Sequence, residues 1–170
     1  MFDQTGTNYD LEGKIYEPIV AQELAKNGYE TTALDFREND PQQKLNFKTL
    51  KTNFLETTEF NQIGSNYDAV IFLRSWDTPE ILTYFQPEFN FLDINKLSLK
   101  IAHHLLPKFK KLITKEGFLI VSEIFNFGLC ENLKEVENYK QLTFDIFSKY
   151  RLGVVQVCEG LYFLEKLGEF

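Results

Sequence analysis

Tyr67-Asp68-Ala69-Val70-Ile71-Phe72-Leu73, followed at once by Arg74-Ser75-Trp76-Asp77, is the stretch on which the reading of the fold turns. Ala69 to Leu73 are apolar without interruption and two of them are β-branched. That pattern predicts a strand buried on both faces, the signature of a parallel-sheet interior. The abrupt change to Arg-Ser-Trp-Asp marks its carboxyl end, the edge of an open α/β sheet where ligands bind. A strand in the middle of the sheet, with a site just beyond it, is the expectation.

Toward the carboxyl terminus, the stretch from Trp76 to Asn95 holds Pro79 and Pro87 and reads as a loop with short helical pieces. A long helix follows, with Leu99, Ala102, Leu106, Phe109 and Ile113 on one face and Pro107 expected to kink or divide it. His103 and His104 are adjacent on it and point about 100° apart, a poor metal pair. Lys115-Glu116-Gly117 closes the helix, and Phe118 to Glu123 is the next strand. Asn132 with Glu135 three residues on has the form of a capping box, opening a helix with Val136, Tyr139, Leu142, Ile146 and Tyr150 on one face. Leu152–Cys158 and Leu161–Leu167 flank Glu159-Gly160 too closely for a crossover and predict an antiparallel hairpin.

Toward the amino terminus, Phe2 to Thr7 suits the end of a short first strand, and Asn8 to Gly13 is turn-like. A helix fits Ile15 to Asn27, with Tyr16, Ile19, Val20 and Leu24 on one face and Asn27-Gly28 as its stop. Tyr29 to Leu34 is a second strand ending at Asp35, an acidic residue placed to accept hydrogen bonds from ribose hydroxyls, or else a surface turn former. Phe36 to Gln43 is loop. A weaker third strand falls within Asn46 to Thr52, with Asn53-Phe54 after it.

The 170 residues suit one domain burying roughly 70% of the surface its unfolded chain exposes. With 17 Phe and 8 Tyr, rings should fill the core. Lys and Arg total 18 against 25 Asp and Glu, a formal charge of −7 that argues against a nucleic-acid partner. Lys96, Lys100, Lys108, Lys110, Lys111 and Lys115 read as the solvated face of a helix. Cys130 and Cys158 can build neither a disulfide framework nor a zinc site, which suits a reducing, cytoplasmic setting. No apolar run approaches the ~20 residues of a membrane span.

The strand and helix order, closed by an antiparallel hairpin, resembles the class I S-adenosylmethionine-dependent methyltransferases. The likeness is strongest from Tyr67 to Lys166: Tyr67 to Leu73 is similar to that family's fourth strand, Leu105 to Glu123 to its helix, Gly turn and fifth strand, and Tyr150 to Lys166 to its terminal hairpin. It implies a three-layer Rossmann-like α/β fold, a mostly parallel sheet with a C-terminal antiparallel hairpin, and S-adenosylmethionine as cofactor. The family's glycine-rich turn is reduced here to Asp3-Gln4-Thr5-Gly6-Thr7, with an insertion at Asn8 to Gly13. Carried over by position, Asp3 would hold the cofactor's amino group, Gly6 the turn and Asp35, with Phe36 beside it, the ribose. Asn53 and Phe54 would lie at the adenine, and Arg74 with Trp76 beside the reacting methyl. Leu-Arg-Ser-Trp replaces the Asp/Asn-Pro-Pro-Tyr/Phe signature of amino-methylating nucleic-acid enzymes, which points to a small-molecule or protein acceptor.

Methyl transfer is an in-line displacement in which positioning supplies much of the catalysis, so no dedicated base is required. Asp77 or a histidine of the long helix is available if one is used. The alternative is a methyltransferase-like domain that has lost catalysis and serves as a scaffold, with the aromatics from Trp76 to Phe91 as its interface. A nicotinamide-dinucleotide oxidoreductase would also suit Asp35, but no Gly-x-Gly-x-x-Gly is present. Neither Gly-x-Ser-x-Gly nor His-x-x-x-His occurs, which removes the common serine-hydrolase and zinc-hydrolase patterns. The oligomeric state is not legible in the sequence.

Overall fold

The computed structural model describes residues 19–35, 45–73, 85 and 94–168. The expected first strand, the loop after Asp35 and the aromatic stretch after Leu73 lie outside these residues. The chain divides into two compact units, Met1–Gly64 and Ser65–Phe170, each described by itself.

In the first unit, α1 (Ile19–Lys26) leads to β1 (Thr32–Asp35), which pairs in parallel with β2 (Lys48–Lys51) before a single helical turn, α2 (Thr57–Phe60). The helix ends as its sequence requires. Gly28 takes a positive φ of 86°, Tyr29 N–H donates to the Leu24 carbonyl and Gly28 N–H to that of Ala25. These two bonds close the last turn in a Schellman motif. The apolar face is shifted from the expected one: Ala21 is fully buried, whereas Ile19 is 42% exposed. The second strand is shorter than expected because Tyr29 and Glu30 are spent leaving the helix, and Tyr29 is exposed.

The second unit carries a four-stranded sheet. Its strands are β3 (Tyr67–Phe72), β4 (Ile113–Ser122), β5 (Leu152–Cys158) and β6 (Leu161–Lys166), in the order β3-β4-β6-β5. β3 and β4 run parallel, and β6 is antiparallel to both of its neighbours. The terminal hairpin is therefore present, turning through Glu159 and Gly160 at φ 49° and 78°. The described strands make two parallel and two antiparallel pairs, a mixed arrangement rather than a mostly parallel one. Among them β3 is the outer strand of its sheet, not a middle one.

Register explains the core. Val70, Leu119 and Leu164 align in one cross-strand row, and Phe72, Val121 and Tyr162 in another; all six are buried. Two helices cover this face: α3 (Ile94–Leu112) brings Phe109 to 4.9 Å from the Phe72 ring, and α4 (Leu133–Lys149) brings Phe147 to 5.3 Å from Tyr162. The opposite row, Ile71, Ile120 and Phe163, is only half-buried, and Ala69 is exposed. The expectation of a strand buried equally on both faces is corrected accordingly. An apolar run records which side chains tolerate burial, not what covers them.

Helix α3 corrects two further expectations. It begins at Ile94 and runs through Pro107 as one element, neither divided there nor extended to Gly117. Ile113 already belongs to β4, opposite Tyr67, while Phe118 is opposite Ala69, so β4 makes an excursion between them. Gly117 sits in this bulge, where an added Cβ would lie 2.9 Å from the Tyr67 carbonyl oxygen and 2.8 Å from Thr114 Oγ1. Only glycine lets the backbones approach so closely. Helix α4 starts with the expected cap: Glu135 N–H donates to Asn132 Oδ1 at 3.0 Å, while the Glu135 carboxylate accepts from Glu131 N–H at 2.8 Å.

Candidate functional site

Parallel strands present their carboxyl ends on one edge, and each unit contributes such an edge. In the first unit Asp35 pairs with Lys51 as the last residues of β1 and β2, which sets Asn53 two positions beyond the same edge. Asn53 shapes the exit: its Oδ1 accepts from Leu55 N–H at 3.1 Å, an Asx turn, and its own N–H donates to a Glu59 carboxylate oxygen. The Leu55 bond uses one of the two Oδ1 lone pairs. Phe54 is 2% exposed. Its ring belongs to the core and has no open face for a nucleobase. Thus two of the sequence-derived positions share an edge, and the third does not present a surface to it. Asp3, Gly6, Phe36, Arg74, Trp76 and Asp77 lie outside the described residues.

In the second unit the carboxyl edge of the β3–β4 pair is formed by Phe72, Leu73, Ser122 and Glu123. Glu123 N–H donates to the Gly160 carbonyl at 2.9 Å, which ties the end of β4 to the hairpin turn. Its carboxyl lies against Gly160, at 3.3 Å from where a Cβ would project. Partial burial there raises the Glu123 pKa above the usual carboxylate value, with Lys140 acting in the opposite sense, although the residue as a whole is exposed. Tyr162, 5% exposed, has its hydroxyl pKa raised first by burial and then by the Glu123 charge. Glu123 and Tyr162 are the titratable neighbours at this edge.

Sequence reasoning missed the clamp that holds the same edge. Asn95, in the first turn of α3 and 9% exposed, accepts from Asn126 N–H at 2.8 Å and donates to the Asn126 carbonyl at 3.4 Å. The Asn126 side chain in turn accepts from Gly128 N–H at 3.0 Å, capping the 3₁₀ turn Phe127–Leu129. The start of α3 and the segment leaving β4 are thereby fixed to each other. Thirty-one residues separate the partners, and no local pattern announces the pair.

The histidines of α3 do not face this edge as a pair. His103 Nδ1 lies 2.8 Å from the Tyr150 hydroxyl, which also donates to the His103 carbonyl at 3.1 Å. Burial first, and Lys149 second, lower the His103 pKa. His104 Nε2 is 2.7 Å from Lys108 Nζ, and its ring meets Phe85 edge-on at 5.1 Å. His103 thus links the middle of α3 to the end of α4. No cluster of metal-ligating side chains occurs among the described residues. No described helix is long and apolar enough to cross a membrane.

No protein-family model matches the chain, and no curated protein matches its sequence. Among solved structures it is similar to MycE, a methyltransferase from the mycinamycin biosynthetic pathway crystallised with Mg and SAH. That likeness has 13% identity and a TM-score of 0.49, over 81% of this chain and 36% of MycE. It is also similar to the PH0226 protein of Pyrococcus horikoshii OT3, at 14% identity and a TM-score of 0.43, over 84% of this chain and 73% of the other. The chain thus spans little more than a third of the MycE chain.

Proposed function

We propose that the chain is a class I S-adenosylmethionine-dependent methyltransferase domain acting on a small-molecule or protein side-chain acceptor. The observation that carries this reading is the strand order β3-β4-β6-β5, in which the last strand inserts antiparallel between β4 and β5. That reversed hairpin at one edge of an otherwise parallel arrangement is the family feature the sequence also suggests. The position of Asp35 at the carboxyl end of β1 adds to it.

When bound, S-adenosylmethionine supplies an electrophilic methyl group. Asp35 would accept from the ribose hydroxyls, and the Asn53 amide would donate to the base. Phe54, 2% exposed, would support that end of the site from within the core. Arg74 and Trp76 follow β3 directly and would bound the acceptor. Clamping of the carboxyl edge through Asn95 holds the backbone still while the acceptor approaches in line, the kind of positioning on which such a displacement relies.

Calorimetric titration with S-adenosylhomocysteine tests the reading. Micromolar binding is expected, weakened about ten- to a hundredfold by Asp35→Ala, the worth of hydrogen bonds to a charged group. No heat at millimolar ligand overturns it, as does a thermal shift produced by NAD alone. Binding without methyl transfer to any acceptor would instead favour the scaffold alternative.

A further inference from the structure

The amino edge of the β3–β4 pair, opposite the edge just described, is where α3 and α4 end and β4 and β5 begin. A groove of about 1120 Å³ lies there, lined by Lys110, Lys111, Lys115, Lys149, Arg151 and Lys166. Among the described residues Glu116 and Glu165 are its acidic walls. None of the six cations has a carboxylate within 4 Å among the described residues. The formal charge of the whole chain is −7, so this concentration of positive charge runs against the composition.

Three of the six have a local reason to be there. Lys110, Lys111 and Lys149 occupy the last turns of α3 and α4, where cations offset the negative end of the helix dipole. Lys115, Arg151 and Lys166 stand outside both helices. Arg151 is the most informative, because its φ of 53° lies in the left-handed region. This position, after the end of α4, ordinarily takes glycine or asparagine, and a larger side chain is strained there. A guanidinium is placed in the groove despite that penalty.

Two of the lysines are pre-positioned. Lys110 Nζ donates to the Tyr150 carbonyl at 2.9 Å, and Lys166 Nζ donates to the Ile113 carbonyl. Each bond uses one of three ammonium donors and leaves the others for a ligand. The Lys166 pKa is lowered by burial and by the Lys110 charge, a repulsion that an anion between them would relieve.

We propose that this groove binds a short oligophosphate, of the kind carried by a nucleoside di- or triphosphate. Several cations from four chain segments, spread along a groove, match several phosphates better than one. The volume is slightly above that of most small-ligand pockets, about 300–1,000 Å³, and leaves room for several phosphates. A long nucleic-acid strand leaving the groove would run over a surface of the wrong sign, so a compact anion is favoured over a polymer. The sequence groups Lys110, Lys111 and Lys115 as a solvated helix face; the fold instead puts Lys115 in the β4 bulge and brings Lys149, Arg151 and Lys166 beside them.

Titration of the full chain with inorganic tripolyphosphate, followed by calorimetry, tests the proposal. Binding in the micromolar range is expected, weakening as salt rises because the contacts are ionic. Inorganic monophosphate should bind at least tenfold more weakly. Arg151→Gly suits the left-handed backbone, so it should keep or raise the melting temperature while lowering tripolyphosphate affinity about tenfold. Lys115→Gln should lower it similarly, and the distant Lys134→Gln should leave it unchanged. No tripolyphosphate heat at millimolar concentration, or unchanged affinity in both groove variants, overturns the proposal. A single-stranded oligonucleotide binding more tightly as it lengthens overturns the choice of a compact ligand. S-adenosylhomocysteine titrated in parallel tests the proposed function, whose residues lie outside this groove, so failure of one reading does not mimic failure of the other.

Discussion

The carboxyl and amino edges of the β3–β4 pair are built from the same strands and the same two helices, yet their side chains differ in kind. At the carboxyl edge the helix starts are held by neutral amides, Asn95 on the Asn126 backbone and Asn132 on Glu135. At the amino edge the helix ends carry lysines, one of which, Lys110, reaches the Tyr150 carbonyl, and Lys166 at the end of β6 reaches that of Ile113. Backbone polarity accounts for the division. Helix N-termini offer N–H groups that amides can satisfy, and helix C-termini offer carbonyls that cations can satisfy. A sheet with parallel strands sorts all starts to one side and all ends to the other. Neutral amides and cations are thereby kept apart within one small unit.

The largest expected effect removes what both edges share. Phe109→Ala empties a fully buried site against Phe72 and should cost about 3–5 kcal/mol, lowering the urea midpoint and weakening S-adenosylhomocysteine and tripolyphosphate binding together. Loss of only one ligand would break the view that a common core supports both edges. Next in size is Asn95→Ala, which leaves the Asn126 N–H without its partner and should cost about 1–3 kcal/mol. It should weaken S-adenosylhomocysteine binding and spare tripolyphosphate binding; equal loss of both would blur the distinction between the edges.

The smallest effect concerns pH. The His103 pKa is lowered below its ordinary 6.5, so the folded state binds fewer protons there than the unfolded chain. The stability this contributes is complete above that ordinary value and is lost as pH falls through the lowered one. Melting temperature should therefore decline on acidification from about pH 7 to about pH 5, and His103→Gln, which still reaches Tyr150, should flatten the decline. An identical pH profile in the variant would remove His103 as a titrating link between α3 and α4.

Legibility in the sequence followed the range of the interactions. Local devices were read correctly: the Asn27-Gly28 stop, the Asn132–Glu135 cap and the Glu159-Gly160 turn each rest on a few adjacent residues whose backbone chemistry admits little choice. The end of α3 differs from the expected one because Ile113 continues the helical spacing but lies opposite Tyr67 in the sheet. Pro107 failed as a breaker because α3 is held by packing on both sides of it: Leu105, Leu106 and Phe109 are fully buried. The place of Asp35 at the end of β1, with Asn53 just past β2, was legible because strand ends are local features. The core position of Phe54 was not, since a ring after a strand reads the same whether it is covered or open.

What the sequence determined by itself is the set of strands and helices, their caps and the reversed hairpin, because propensity, turn geometry and short loops act within a few residues. Tertiary structure alone decided that β6 lies between β4 and β5, that Asn95 grips Asn126, and that cations from four segments meet in one groove. Those outcomes join residues far apart in the chain. They depend on which surfaces are buried together, a property of the folded whole that no local pattern encodes.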